Sequence, residues 1–147
     1  GVDGKRDVGK SSLVSKFAEY DFKKGEYKDT LHVYVTTTLI PLNNCTIKVE
    51  FLETGWNLRP NKNYIDGAIL VYDTSESDGL NEMKEISHEY ISSKIPIMII
   101  ANKCDINKHE NRDDLLKEVK NYFGEECLFD KTSIKEKTSD KLNKILE

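Results

Sequence analysis

The segment Gly4-Lys5-Arg6-Asp7-Val8-Gly9-Lys10-Ser11 fits G-x-x-x-x-G-K-[ST] at every fixed position. This pattern constrains the fold more than any other feature of the chain. It calls for a turn whose backbone N–H groups face a phosphate, followed at once by a helix whose positive end adds to the same field. Gly4, Asp7, Val8, Gly9, Lys10, Ser11 and Ser12 are the candidate phosphate-binding positions. Lys10 is placed to reach the β- and γ-phosphates and the Ser11 hydroxyl to ligate Mg²⁺. A phosphate loop should follow a buried strand, yet only Gly1-Val2-Asp3 precede this one. The first strand is therefore expected to be cut short or absent.

The rest of the chain alternates between strand-like and helix-like blocks, with no repeat or low-complexity segment. Lys10–Ala18 reads as a helix with Leu13, Val14 and Phe17 on one face. Val33–Leu42 and Thr46–Leu52 read as a hairpin around Asn43-Asn44. Ala68–Tyr72 and Ile95–Ala101 are short apolar strands of the kind buried on both faces. Leu80–Ile91 and Asp113–Phe123 carry helical spacing, Cys127–Phe129 a last strand, and Asp140–Leu146 a terminal helix. Such alternation predicts one α/β domain over residues 1–147: a mostly parallel six-stranded sheet with helices on both faces. In sheets of this kind ligands sit at the carboxyl ends of the strands.

Composition excludes several classes. With 22 Lys+Arg against 26 Asp+Glu the net charge is −4, which offers no basic footprint for nucleic acid. The longest apolar run, Ile95–Ala101, is interrupted by Pro96 and far too short to span a membrane. Cys45, Cys104 and Cys127 are odd in number and form no CxxC pair, so neither a disulfide framework nor a zinc site is indicated and a cytoplasmic setting is expected. No leader sequence opens the chain, and no cysteine after Cys127 offers a lipid attachment point, so no direct membrane anchor is expected.

Asn102-Lys103-Cys104-Asp105 directly follows the second apolar strand. The Asp105 carboxylate can accept two hydrogen bonds from the guanine N1–H and exocyclic amine, a donor pair that adenine lacks. Asn102 is placed to tie the loops together and the Lys103 stem to lie along the base. Thr132-Ser133-Ile134-Lys135 follows the last strand, where Ser133 and the backbone N–H groups of Ile134 and Lys135 form a second candidate contact with the base.

These residues together resemble the Ras superfamily of small GTPases, closest to the Rab branch. Ser11-Ser12-Leu13, Lys16-Phe17, Thr30-Leu31-His32-Val33, Thr46-Ile47-Lys48-Val49 and Gly67–Asp73 carry the resemblance, with the two base loops following in order. It implies a phosphate-loop G domain that binds GTP or GDP with Mg²⁺ and engages effector or regulator proteins through its first switch. By the same resemblance Thr30 is a second Mg²⁺ ligand and γ-phosphate sensor, Phe22 stacks on guanine, and Gly55 approaches the γ-phosphate.

The departures cluster on hydrolysis. Where the family reads D-x-x-G-Q, this chain reads Glu53-Thr54-Gly55-Trp56. Glu53 replaces the Asp linked indirectly to Mg²⁺, one residue before Gly55 is missing, and Trp56 stands at the glutamine that orients the attacking water. The stretch from Gly55 to Tyr72 is shorter than the family's second switch and its helix. Arg6 and Asp7 occupy loop positions that the family fills with small residues. Slow or absent GTP hydrolysis is the expectation, in a switch acting in vesicle traffic or signalling. A different class, a nucleotide-independent pseudo-GTPase scaffold, remains open. An adenine-nucleotide enzyme is opposed by Asp105.

Overall fold

The computed structural model describes residues 1–18, 33–42, 44–54, 61–106 and 111–133. The expected terminal helix at Asp140–Leu146 lies outside the described residues. In chain order the elements are β1 (Val2–Asp3), α1 (Lys10–Ala18), β2 (Val33–Leu42), β3 (Cys45–Thr54), a short 3₁₀ turn (Lys62–Tyr64), β4 (Ala68–Asp73), α2 (Gly79–Ser92), β5 (Ile97–Asn102), α3 (Arg112–Phe123) and β6 (Leu128–Lys131). The six strands form one sheet in the order β2-β3-β1-β4-β5-β6. Only the β2–β3 hairpin is antiparallel; the other neighbours run parallel.

The first strand is present but short, as the cut-short alternative expects. β1 is only two residues long, yet it occupies the centre of the sheet. Val2 pairs with Glu53 on one side and Ile69 on the other, and Asp3 pairs with Leu70. The Ile69 N–H donates to the Gly1 carbonyl at 2.8 Å, which extends the ladder.

β4 and β5 alternate their side chains between the two faces, as a pleated strand must. Leu70, Tyr72, Ile99 and Ala101 join Leu80, Met83 and Tyr90 of α2 and Leu115 and Val119 of α3 in one core. Val71, Met98 and Ile100 join Val2, Phe51 and Leu13, Val14 and Phe17 of α1 in the other. Helices thus cover both faces. Phe17 and Phe51 stack with ring centroids 5.7 Å apart, which fixes α1 against β3.

Local chemistry sets the helix ends. The Asn111 side chain caps α3 by accepting from the Asp113 N–H at 2.9 Å, and Asp113 and Asp114 complement its positive end. The first turn of α1 contains no acidic residue, so its positive end stays uncompensated by its own side chains. Strand ends differ slightly from expectation: β5 begins at Ile97, after Pro96, and β3 continues through Glu53 and Thr54. No helix among the described residues is long and apolar enough to cross a membrane.

Candidate functional site

The loop between β1 and α1 wraps around its own lysine. The Lys10 Nζ donates to the Gly4 carbonyl at 2.8 Å and the Lys5 carbonyl at 2.7 Å, while the residue itself is buried. Burial pushes the Lys10 ammonium below its ordinary pKa, against the opposing pull of Glu53, Asp3 and Asp7. The turn depends on left-handed backbone at Gly4 (φ 143°), Asp7 (φ 62°) and Gly9 (φ 98°). At Gly4 a Cβ would stand 2.2 Å from the Val71 carbonyl oxygen, so no side chain fits there.

A cavity of about 520 Å³ opens over this loop, lined by Arg6, Asp7, Lys10, Ser11, Ser12 and Glu53 among others. Arg6 and Asp7 project outward, their side chains 86% and 88% exposed, so their bulk stands at the cavity mouth. Val8 differs from the other loop positions: its side chain is buried among the α1-side core residues, and its carbonyl is occupied by Asn102. At the α1 end, Ser11 donates its hydroxyl to the Glu53 carboxylate across from β3. Tyr34 and Thr54 also line the cavity.

The second half of the site lies at the carboxyl ends of β5 and β6. Asn102 is 1% exposed, and its side-chain amide donates to the Val8 carbonyl at 2.8 Å. This bond ties the loop after β5 to the loop between β1 and α1. Asp105 accepts the Ser133 hydroxyl at 2.6 Å, which brings the loops after β5 and β6 together. Backbone bonds run the same way, from the Cys104 N–H to the Thr132 carbonyl at 3.2 Å and from the Thr132 N–H to the Ala101 carbonyl at 2.8 Å. Lys103, in left-handed backbone at φ 60°, ion-pairs with Asp73 at 2.7 Å. Burial pushes the Asp73 carboxyl up, but Lys103 and the Ser75 hydroxyl and N–H outweigh it and hold the group below its ordinary range.

Sequence reasoning missed Asp73, Asp3, Tyr34 and Thr54. Asp73 had a legible signal, a carboxylate closing an apolar strand at the carboxyl end of the sheet. Phe22, Thr30, Gly55, Trp56, Ile134 and Lys135 lie outside the described residues.

A Ras family model matches residues 2–146, nearly the whole chain. The chain belongs to the Ras family. This Ras-family chain is 30% identical over 112 residues to the Ras-related protein RABA4d of Arabidopsis thaliana, covering 70% of this chain and 50% of that protein. It is 34% identical over 116 residues to the Ras-related protein YPTC6 of Chlamydomonas reinhardtii, covering 72% and 52% respectively. It is 26% identical over 144 residues to the small monomeric GTPase RhbA of Aspergillus fumigatus, covering 90% and 75%. The chain thus spans from half to three quarters of the length of these relatives. The small-GTPase fold near the Rab branch, read from motif order, agrees with the family match and with the sheet order.

Proposed function

We propose that this Ras-family chain is a guanine-nucleotide-dependent switch that holds GTP or GDP with Mg²⁺ and hydrolyses GTP slowly or not at all. The observation that carries the reading is the Asn102 tether. One buried amide links the loop suited to phosphates to the loop that presents Asp105. In this reading Gly4, Asp7, Val8, Gly9, Lys10, Ser11 and Ser12 form the phosphate seat, with Gly55 approaching the γ-phosphate. Asn102, Lys103, Asp105, Ser133, Ile134, Lys135 and Phe22 surround the base.

The donor set fits Mg²⁺. Ser11 and Glu53 bring a hydroxyl and a carboxylate together at the edge of the cavity, and Thr30 is the further proposed ligand. A hard cation that keeps waters and takes the remaining oxygens from phosphates needs few protein ligands. When bound, the ion would neutralise phosphate charge. Glu53 would hold it indirectly, through the hydroxyl it already bonds.

Slow hydrolysis rests on the residues themselves. Trp56 has neither a carbonyl nor an amide with which to orient water, and Glu53 reaches further than an aspartate would. Arg6 and Asp7 stand at the mouth where a partner's arginine would enter. The proposed setting is vesicle traffic or signalling in the cytoplasm, with effector or regulator proteins reading the segment around Thr30. Free cysteines at Cys45, Cys104 and Cys127 suit a reducing compartment.

The pseudo-GTPase scaffold is favoured by one observation, Glu53 and Trp56 standing where the resemblance calls for the aspartate and glutamine of the hydrolytic centre. Denaturing the purified protein and separating the released nucleotide by chromatography decides between the two. Bound GTP or GDP supports the switch, and none supports the scaffold. A single-turnover assay with loaded GTP then tests hydrolysis, and an ordinary small-GTPase rate would overturn the slow-hydrolysis reading.

A further inference from the structure

Asp3 is a carboxylate placed where the strand pattern calls for an apolar side chain. It pairs in register with Leu70, a residue of the α2-side core, and is itself 8% exposed. Burying such a group is costly unless its oxygens are hydrogen-bonded. Both are. Asp3 Oδ2 accepts the Tyr90 hydroxyl at 2.9 Å, and Asp3 Oδ1 accepts the Gly4 N–H at 2.7 Å, both in the interior. Gly4 is the residue where strand becomes phosphate loop, and its carbonyl accepts Lys10 Nζ. A continuous chain of contacts therefore runs from α2 through Tyr90, Asp3 and Gly4 to Lys10.

A second contact runs in parallel. Glu82 of α2 ion-pairs with Lys5, the next residue of the loop, whose carbonyl also accepts Lys10 Nζ. Glu82 and Tyr90 are eight positions apart, so they share one face of the helix. That face presents a carboxylate at one end and a phenol at the other, each engaging a different residue of the same loop.

We propose that Tyr90 and Glu82 are positioning residues, which make α2 a clamp on the phosphate loop and set how long a nucleotide is retained. The proposal rests on the guanine-nucleotide reading above. Lys10 can meet phosphate only if the Gly4 and Lys5 carbonyls hold it at the right depth, and the clamp fixes both carbonyls. Loss of the clamp leaves the loop's residues intact but lets the loop sample geometries that grip phosphate less well. The effect belongs to nucleotide release more than to capture, because short-range order governs dissociation.

The test measures release of N-methylanthraniloyl-GDP from the full chain by fluorescence, alongside thermal midpoints of the loaded and nucleotide-free protein. Tyr90→Phe removes one oxygen and keeps the ring. It is expected to speed release about tenfold, the effect of a lost hydrogen bond to a charged group. Glu82→Gln breaks a half-exposed pair and is expected to speed release about two- to threefold. Asp3→Asn keeps an acceptor for one partner only and should resemble Tyr90→Phe, with the double variant Asp3→Asn/Tyr90→Phe little worse than either. Tyr122→Phe, an exposed hydroxyl on α3, should leave release unchanged. In each clamp variant the loaded protein should lose more thermal stability than the nucleotide-free protein. Equal losses with unchanged release would overturn the clamp and leave a purely structural bond. Failure of the wild-type chain to bind the fluorescent GDP would instead overturn the guanine-nucleotide reading, and the clamp with it.

Discussion

Asn102, the last residue of β5, donates its side-chain amide to the Val8 carbonyl at 2.8 Å. The bond crosses from one strand end to the loop of another, over 94 positions of sequence. Its Oδ1 is buried and has no hydrogen-bond partner among the described residues. Asn102→Ala removes that oxygen but leaves the buried Val8 carbonyl unpaired, so it should destabilise the protein by about 1–3 kcal/mol. Asn102→Asp should do worse, since a carboxylate facing the Val8 carbonyl replaces a donor with an acceptor. Urea unfolding of both variants checks the ranking, and an Asn102→Asp protein as stable as wild type would contradict it.

What was legible in the sequence, and what was not, follows from how far apart the deciding partners lie. Gly4, Gly9, Lys10 and Ser11 sit within one turn and a helix start, so their spacing alone specifies the loop. The cores of β4 and β5 were legible because both faces are covered, which leaves continuous apolar runs at Ala68–Tyr72 and Ile97–Ala101. β1 was not, because two residues make no pattern; its register comes from β3 and β4. Asp3 was equally opaque. Its partner Tyr90 is 87 positions away, on a helix whose spacing carries no sign of the contact. The motif places the Lys103 stem along the base, while its ion pair with Asp73 depends on β4 and β5 being adjacent.

Lys10 gives a pH dependence with an unusual sign. Its folded pKa is lowered by burial from an ordinary value near 10.5. Above the folded value the native protein sheds this proton while the unfolded chain still holds it. The unfolded state then binds more protons, so stability rises with pH across that window. Below the folded value both states are charged and the desolvation penalty is fully present. Lys10→Met should abolish the rise and change stability at neutral pH by no more than about 1 kcal/mol, because lost hydrogen bonds and relieved desolvation offset each other. Phosphate affinity should nonetheless fall on the order of a hundredfold. Urea midpoints in the alkaline range, paired with nucleotide titration, check both halves.

Asp73 works in the opposite direction. Its folded pKa lies below the ordinary value of 3.8, because Lys103 and Ser75 outweigh the effect of burial. Its contribution is present above the unfolded value and is lost as pH falls through the folded one. Asp73→Asn should cost about 1–3 kcal/mol at neutral pH and flatten this part of the acid limb. Denaturant midpoints followed from neutral pH into the acid range measure the difference. A variant whose acid limb parallels that of wild type would show that the pair with Lys103 contributes nothing.

Asp105 tests the proposed base specificity when one of its acceptors is exchanged for a donor. Its carboxylate is fixed by the Ser133 hydroxyl at 2.6 Å, so the side chain is oriented before any ligand arrives. Guanine offers N1–H and an exocyclic amine, two donors matched to a carboxylate that only accepts. Asp105→Asn places an amide there, which accepts at one atom and donates at the other. The pairing with guanine loses one bond and gains a donor–donor clash, which should weaken GDP binding on the order of a hundredfold or more. Xanthine carries a carbonyl where guanine carries its amine, so it matches the amide and should bind the variant better than guanine does. Competition of XDP and GDP against a fluorescent nucleotide measures the reversal. An Asp105→Asn protein that keeps its guanine preference would show that the base lies elsewhere.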